Sequence, residues 1–406
     1  MTASVPDVTR PHAASLDEAH PWPGLDPFPE SGRGFFHGRD RDVDRLERLV
    51  RDEPLVLLHG ESGVGKTSLL QAGLFPRLRA HDLLPILVRL DFSPSARPLT
   101  QQLRDRIAEE LEIGRVEGPR PEVGARLWEY SHRRYDWLWS PRQMPLLPVV
   151  VIDQFEELFT LGGGLNAPGA SELIEELSEV VLDRVPGRDV AHLNDFDRSR
   201  PGIKVVLSFR EEFLAHVEQL LPEFGPTLRA RLRLTAFDQM VAQRAVLGSA
   251  GALMSADVAE RIVAVVSGGR ATVEPSLVSV FCRELNERRL ADGAAIISGD
   301  LVEQAGAAVL PEFYARGTQD VAEPVLEFVE EKLLTEGRRR NVVTLEEAVA
   351  APGITRAALE VLVRRRLLRI EERFGAERVE LAHDVLAPIV AEVRRERRAR
   401  RNERRL

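Results

Sequence analysis

Residues His59 to Leu70, HGESGVGKTSLL, constrain this chain more than any other stretch, because they meet the pattern G-x-x-x-x-G-K-[ST] at Gly60, Gly65, Lys66 and Thr67. A loop of this kind has to leave a strand and open a helix. Leu55 to His59 supply the β-favouring approach, and Leu69, Leu70, Leu74 and Phe75 supply a helical stripe that Pro76 is expected to stop. With only three Lys in 406 residues, a chance match is on the order of one in a thousand.

The residue types follow from the charge of a polyphosphate, which must be met by backbone N–H groups at close range. Gly60, Gly63 and Gly65 allow the conformations that turn successive amides inward, with Glu61, Ser62, Val64 and Ser68 completing the cradle. Lys66 is expected to reach the β and γ phosphates, and the Thr67 hydroxyl to hold magnesium. ATP or ADP with Mg2+ are therefore the expected cofactors. ATP is preferred to GTP because the sequence has no N-K-x-D guanine motif.

A second chemical stretch is Pro148 to Thr160, PVVVIDQFEELFT. Its continuous Val149–Ile152 run suits a parallel strand buried on both faces, and Asp153 falls at the C-terminal end, where open α/β sheets place ligands. Asp153 is assigned to the magnesium shell. Either Glu156 or Glu157 is the candidate base that orients the attacking water; the alternative is an acidic first turn of a surface helix. A further strand, Ile203 to Phe209, ends in Arg210, which either reads the γ-phosphate or pairs with Glu211 and Glu212.

The remaining strands and helices fit around these. A strand is expected over Ile86–Phe92 and a helix over Leu99–Leu111. Between Gly114 and Pro148 lie Trp128, Tyr130, Tyr135, Trp137 and Trp139, read as core filling around an inserted helix in preference to a stacking surface. After a Gly-rich break, Leu161–Ala170, a helix is expected from Ser171 to Leu182. From Leu234 to Gly317 the pattern is wholly helical, with Pro275 at a helix start. Then come a helix opened by Pro324 and closed by Gly337, one capped by Thr344 and Glu347, one over Thr355–Leu367, and two short strands joined at Gly375 and Ala376. Three helices and a hairpin are the layout of a winged helix, whose Arg364, Arg365 and Arg366 either lie on DNA phosphates or form a solvated face.

Composition narrows the class. Hydrophobic residues at 44% and charged residues at 29% fit globular domains, and no run approaches the ~18 apolar residues of a membrane span. One cysteine, Cys282, excludes an internal disulfide and fits a cytoplasmic setting. Eight Arg against two Glu within Arg394–Arg405 leave the rest of the chain more acidic than its net −9, so any nucleic-acid contact must come from a local patch.

Taken together, PWPGLDPF, FFHGRD, GESGVGKTS, VVVIDQFEELF, VVLSFREEF, VEPSLVSVFCRELNERR and LAHDVLAP resemble the novel STAND NTPases, bacterial signal-transduction ATPases with numerous domains. The resemblance runs from about residue 21 to the end. It implies an α/β P-loop NTPase with a parallel sheet core, followed by a helical lid domain and a winged-helix domain. The expected division is 1–20 disordered, 21–233 nucleotide-binding, 234–317 lid, 318–390 winged helix and 391–406 an Arg-rich C-terminal helix or tail. By that likeness Gly38 and Arg39 border the adenine, Pro275 touches it from the lid, Arg210 is the sensor, and His383 holds the β-phosphate of ADP at rest.

The expected function is an ATP/ADP switch that opens on exchange for ATP and Mg2+, self-associates, and works with a protein sensor or effector of unknown kind. Gln154 stands where many related ATPases have a catalytic Glu, so slow turnover is expected. The competing readings are an AAA-type loader or regulator that puts the winged helix on DNA, and a nucleotide-stabilised scaffold without turnover.

Overall fold

The structure, a computed structural model, describes residues 16–92, 96–134, 137–160, 169–187, 195–197, 199, 202–224, 230–335, 341–365, 367–373, 376–382 and 386–405. Tyr135, Leu161–Pro168, Gly337, Arg366, Gly375 and His383, singled out above, lie outside them. The chain divides into two compact units, Pro27–Thr235, and Ala236–Leu406 together with the residues up to Asp26.

The first unit opens with α1 (Asp40–Asp52), β1 (Leu55–Gly60), α2 (Lys66–Ser68), a π-helical stretch (Leu69–Leu74), α3 (Phe75–Ala80) and β2 (Leu83–Val88). There follow α4 (Leu99–Ile113), α5 (Leu127–His132), β3 (Leu138–Trp139), β4 (Pro145–Asp153), α6 (Glu157–Thr160), α7 (Ala170–Val181), β5 (Lys204–Arg210), α8 (Leu214–Leu220) and β6 (Arg231–Arg233). The sheet order is β2-β4-β5-β1-β6, all parallel, with β3 antiparallel on the start of β4. β4 explains the apolar run of the sequence. Val149 and Val151 join Leu58 and Leu69 in the core on one face, while Val150 and Ile152 join Ile86 and Leu207 on the other.

In this unit two expectations need correction. The strand expected at Ile86–Phe92 begins at Leu83 and ends at Val88, because Leu83 and Leu84 pair with Leu147 and Pro148. Pro76 does not stop the helix either. The turn before it is π-wound, with Phe75 N–H bonded to Leu70 O, so the ladder has already widened where the proline removes its donor. The aromatic insert divides: Trp128 is fully buried, whereas Tyr130 and Trp137 line an apolar pocket of about 170 Å³ beside Pro145, at the end of β4 away from Asp153.

The second unit contains β7 (Phe237–Asp238), α9 (Gln239–Ala250), α10 (Ala256–Ser267), β8 (Thr272–Val273), α11 (Pro275–Ala291) and α12 (Gly299–Thr318). After these come α13 (Glu323–Lys332), β9 (Val343–Thr344), α14 (Leu345–Ala350), α15 (Arg356–Arg364), β10 (Leu368–Arg373), β11 (Ala376–Leu381) and α16 (Leu386–Arg405). The pairing of β7 with β8 interrupts the stretch expected to be wholly helical. One core surrounds Phe281 of α11; a second joins α13–α16 to the three-stranded sheet β10-β11-β9. Thr344 Oγ1 caps α14 by accepting from Glu347 N–H.

Residues just before the first unit belong here. Trp22 is buried in the Phe281 core, and α11 holds the chain before the first unit by Asn286 Nδ2 to Ala19 O (2.7 Å) and Arg283 to Pro23 O (3.0 Å). The Arg-rich end is also engaged: Arg394 donates to Glu330 O, Arg397 pairs with Glu323 and Glu330, and Arg398 with Glu331.

In the first unit, α1 docks on the π-wound turn at Gly73, where an added Cβ would meet Val43 Cγ2 at 2.6 Å and Phe36 at 3.2 Å. Gly73→Val is expected to lower thermal stability by about 1–3 kcal/mol. Gly73→Ala should cost less, because alanine recovers roughly 1 kcal/mol of helix propensity. A thermal midpoint unchanged by valine would show that α1 does not press on this turn.

Candidate functional site

The register of the sheet gathers the chemistry at one edge. Gly60 at the end of β1 lies across from Arg210 at the end of β5, and Asp153 at the end of β4 lies across from Ser208. From Gly60 the chain enters the phosphate-loop pattern. Gly63 and Gly65 take left-handed conformations, φ +83° and +92°, and nothing lies within 4 Å of where a Gly65 Cβ would be. Gly60 has the opposite constraint, since a Cβ there would sit 2.2 Å from Leu234 O.

The other loop residues have separate tasks. Val64 is buried in the core under the loop, while Glu61 is exposed and Ser62 half-buried. Lys66 Nζ donates to Gly60 O (2.8 Å) and Glu61 O (3.0 Å), curling over the loop. Burial pushes its ammonium pKa down, opposed by the nearby Glu156 and Asp153 charges. Ser68 Oγ accepts from Phe28 N–H at 3.1 Å. Arg39, 6% exposed, lies beside Asp42 and donates to Val64 O and Thr235 O, both at 2.8 Å, fastening the loop to the chain after β6. Gly38 precedes it at φ +86°.

Asp153 is the centre of this edge. Its buried carboxylate accepts from Ser208 Oγ (2.9 Å) on Oδ1, and from Thr67 Oγ1 (2.8 Å) and Arg89 (3.1 Å) on Oδ2. A hydroxyl beside a carboxylate, both hard oxygen donors, is a set that fits Mg2+, which needs few protein ligands when phosphates supply the rest. Thr67 and Asp153 are thus brought together as the sequence required.

After Asp153 the chain kinks. Gln154 sits at φ +61°, a strained value for a residue with a side chain, while Phe155 N–H donates to Ser208 O at 2.9 Å. The kink sets Glu156, buried, against Arg210, with Arg210 Nε 3.1 Å from Glu156 Oε1. Arg210 therefore pairs with an acid, but not with Glu211, which holds Arg233 at 2.8 Å. Burial raises the Glu156 pKa against the pull of Arg210 and Lys66. Glu157, half-buried at the start of α6, is pushed up to about 7 by burial and then by the Glu156 charge.

Sequence reasoning missed Ser208 and Arg89. Ser208 is the one hydroxyl in the apolar run of β5, a signal that was present. Arg89 was hidden by the misplaced end of β2: the expected strand runs through it to Phe92, whereas it is the residue that follows the strand, as Arg210 ends β5. Pro275 lies in the first turn of α11 in the second unit. Arg364 is exposed, and Arg365 is forked onto Asp320, NH2 to Oδ2 at 2.8 Å.

The profile of the Novel STAND NTPase 1 family matches residues 21–406. The chain belongs to this family. No curated protein matches the sequence. Among solved structures the chain is similar to the Aeropyrum pernix ORC2 protein in its ADPNP–ADP complexes, at 14% identity and TM-score 0.50, covering 89% of this chain and 95% of that one. It is also similar to the Walker-type ATPase PABY2304 of Pyrococcus abyssi (17%, TM-score 0.43, 87% and 95%) and to the Aeropyrum pernix ORC1 protein in complex with DNA (14%, 0.47, 88% and 92%). At this distance the ORC2 likeness speaks for the α/β fold with its parallel core and for nothing finer. Among the described residues, no helix of this STAND NTPase is long and apolar enough to cross a membrane.

The Glu157 pKa gives a signed pH dependence. The folded state keeps this proton to about pH 7, whereas the unfolded chain releases it near 4.5, so stability falls as pH rises through that window. Glu157→Gln should flatten this fall when unfolding free energy is measured by denaturant titration between pH 5 and 8. An identical slope in wild type and variant would contradict the assignment.

Proposed function

We propose that this STAND NTPase is an ATP/ADP switch using Mg2+, with slow hydrolysis and with ADP as the resting ligand. The observation that carries this reading is the Arg210–Glu156 ion pair at 3.1 Å. It ties the candidate sensor of the γ-phosphate to an acid of the candidate catalytic pair, so the two groups are held together unless a stronger anion draws Arg210 away. A γ-phosphate is such an anion and ADP lacks it, which is what a switch between the two nucleotides requires.

In this reading the Gly60–Ser68 loop cradles the phosphates, Lys66 leaves the Gly60 and Glu61 carbonyls for them, and Thr67 with Asp153 holds the metal, whose charge offsets that of the phosphates. Glu157, with a pKa of about 7, suits the role of general base that orients water, and Glu156 positions Arg210. The strained Gln154 in the usual place of the catalytic Glu supports slow turnover. The roles of Gly38, Arg39, Pro275 and His383 around the nucleotide rest on family likeness. The helices α13–α15 with the β10–β11 hairpin support a winged helix, and α9–α12 a lid. ATP with Mg2+ is proposed to favour self-association and contact with a protein sensor or effector. The DNA reading is weakened by Arg365, which is already forked onto Asp320.

Lys66→Ala should abolish binding of a fluorescent ATP analogue. Arg210→Ala should erase the difference between ATP and ADP affinity, and Glu156→Gln should widen it toward ATP by freeing Arg210. Equal ATP/ADP ratios in wild type and both variants would remove the sensor reading. Phosphate release should fall about 10²-fold or more in Glu157→Gln; no release from wild type would favour the scaffold instead.

A further inference from the structure

We propose that Arg89 is a placeholder cation that magnesium must displace from Asp153, so that this side chain sets the magnesium concentration at which nucleotide engages. The inference rests on the reading of Asp153 as part of the metal shell and adds a regulator to it.

The geometry is specific to one oxygen. Oδ1 of Asp153 is occupied by Ser208, while Oδ2 takes both the Thr67 hydroxyl and the Arg89 guanidinium, at 2.8 and 3.1 Å. Thr67 is the proposed partner ligand, so Oδ2, the oxygen its hydroxyl already touches, is the one that would hold the metal. A magnesium ion there and Arg89 on the same oxygen would place three positive charges around one negative one within a few ångströms. The Asp153 side chain, 1% exposed and pinned by Ser208, has no room to move away and relieve this; Arg89, at 48% exposure, has.

The neighbouring cations do not share this role. Lys66 Nζ is held on Gly60 O and Glu61 O, and Arg210 on Glu156. The Arg89 charge also acts on Glu157, pulling that carboxyl's pKa down against burial. Without metal, Arg89 compensates a buried carboxylate that would otherwise be costly. With metal, it becomes a competitor.

The test measures affinity for a fluorescent ATP analogue as Mg2+ is raised, in the full chain. Arg89→Met should lower the Mg2+ midpoint roughly three- to fivefold, the scale of losing one half-exposed ion pair, and leave ADP affinity in EDTA unchanged. Arg89→Lys should stay near wild type. Asp153→Asn should flatten the Mg2+ dependence; if it does not, the metal-shell reading fails and the Arg89 inference with it. If Asp153→Asn behaves as expected, an unmoved or raised midpoint in Arg89→Met overturns the Arg89 inference alone. Loss of ADP binding in EDTA would also overturn it, making Arg89 a phosphate ligand. Melting of each variant without nucleotide checks that it is folded.

Discussion

A carboxylate buried at the end of a central strand is the constraint on which the first unit depends. An isolated ion in that position would cost several kcal/mol, and Asp153 avoids this by accepting from Thr67, Ser208 and Arg89 together. These donors come from the loop helix after β1, from β5, and from the end of β2. The hub therefore joins the neighbouring strands of the sheet to the phosphate loop, and its Oδ2 is the oxygen proposed above for the metal.

The groups around this hub are held in positions that a ligand would alter. Lys66 is drawn back onto loop carbonyls, Arg210 is paired with Glu156, and Gln154 stores strain in a left-handed kink. Lys66 and Arg210 are each satisfied by groups of the protein itself. On the proposed reading, polyphosphate and metal would offer Lys66 and Arg210 stronger partners, which suits a switch better than a fast catalyst.

Much of this was legible in the sequence because the requirements are local. Gly60, Gly65, Lys66 and Thr67 are fixed by spacing, and Asp153 by its place after an apolar run. What escaped reading depends on register and on tertiary contact. Ser208 matters only because β4 and β5 pair so that it faces Asp153, and Arg89 only because β2 ends at Val88. Pro76 was misread for a similar reason: the π-wound turn that accommodates it is packed against α1 at Gly73, which no helical periodicity reveals. Glu156 and Glu157 could not be told apart in the sequence because what separates them is the kink at Gln154, which sets Glu156 against Arg210 and leaves Glu157 half-buried.

The most direct measurement is a crystal structure of the chain with a non-hydrolysable ATP analogue and Mg2+. The account predicts the metal at about 2.1 Å from Thr67 Oγ1, Asp153 in its shell, and Arg210 turned from Glu156 to the γ-phosphate. A bound analogue with Thr67 still hydrogen-bonded to Asp153, no metal between them and the phosphates, and Arg210 still on Glu156 would contradict it.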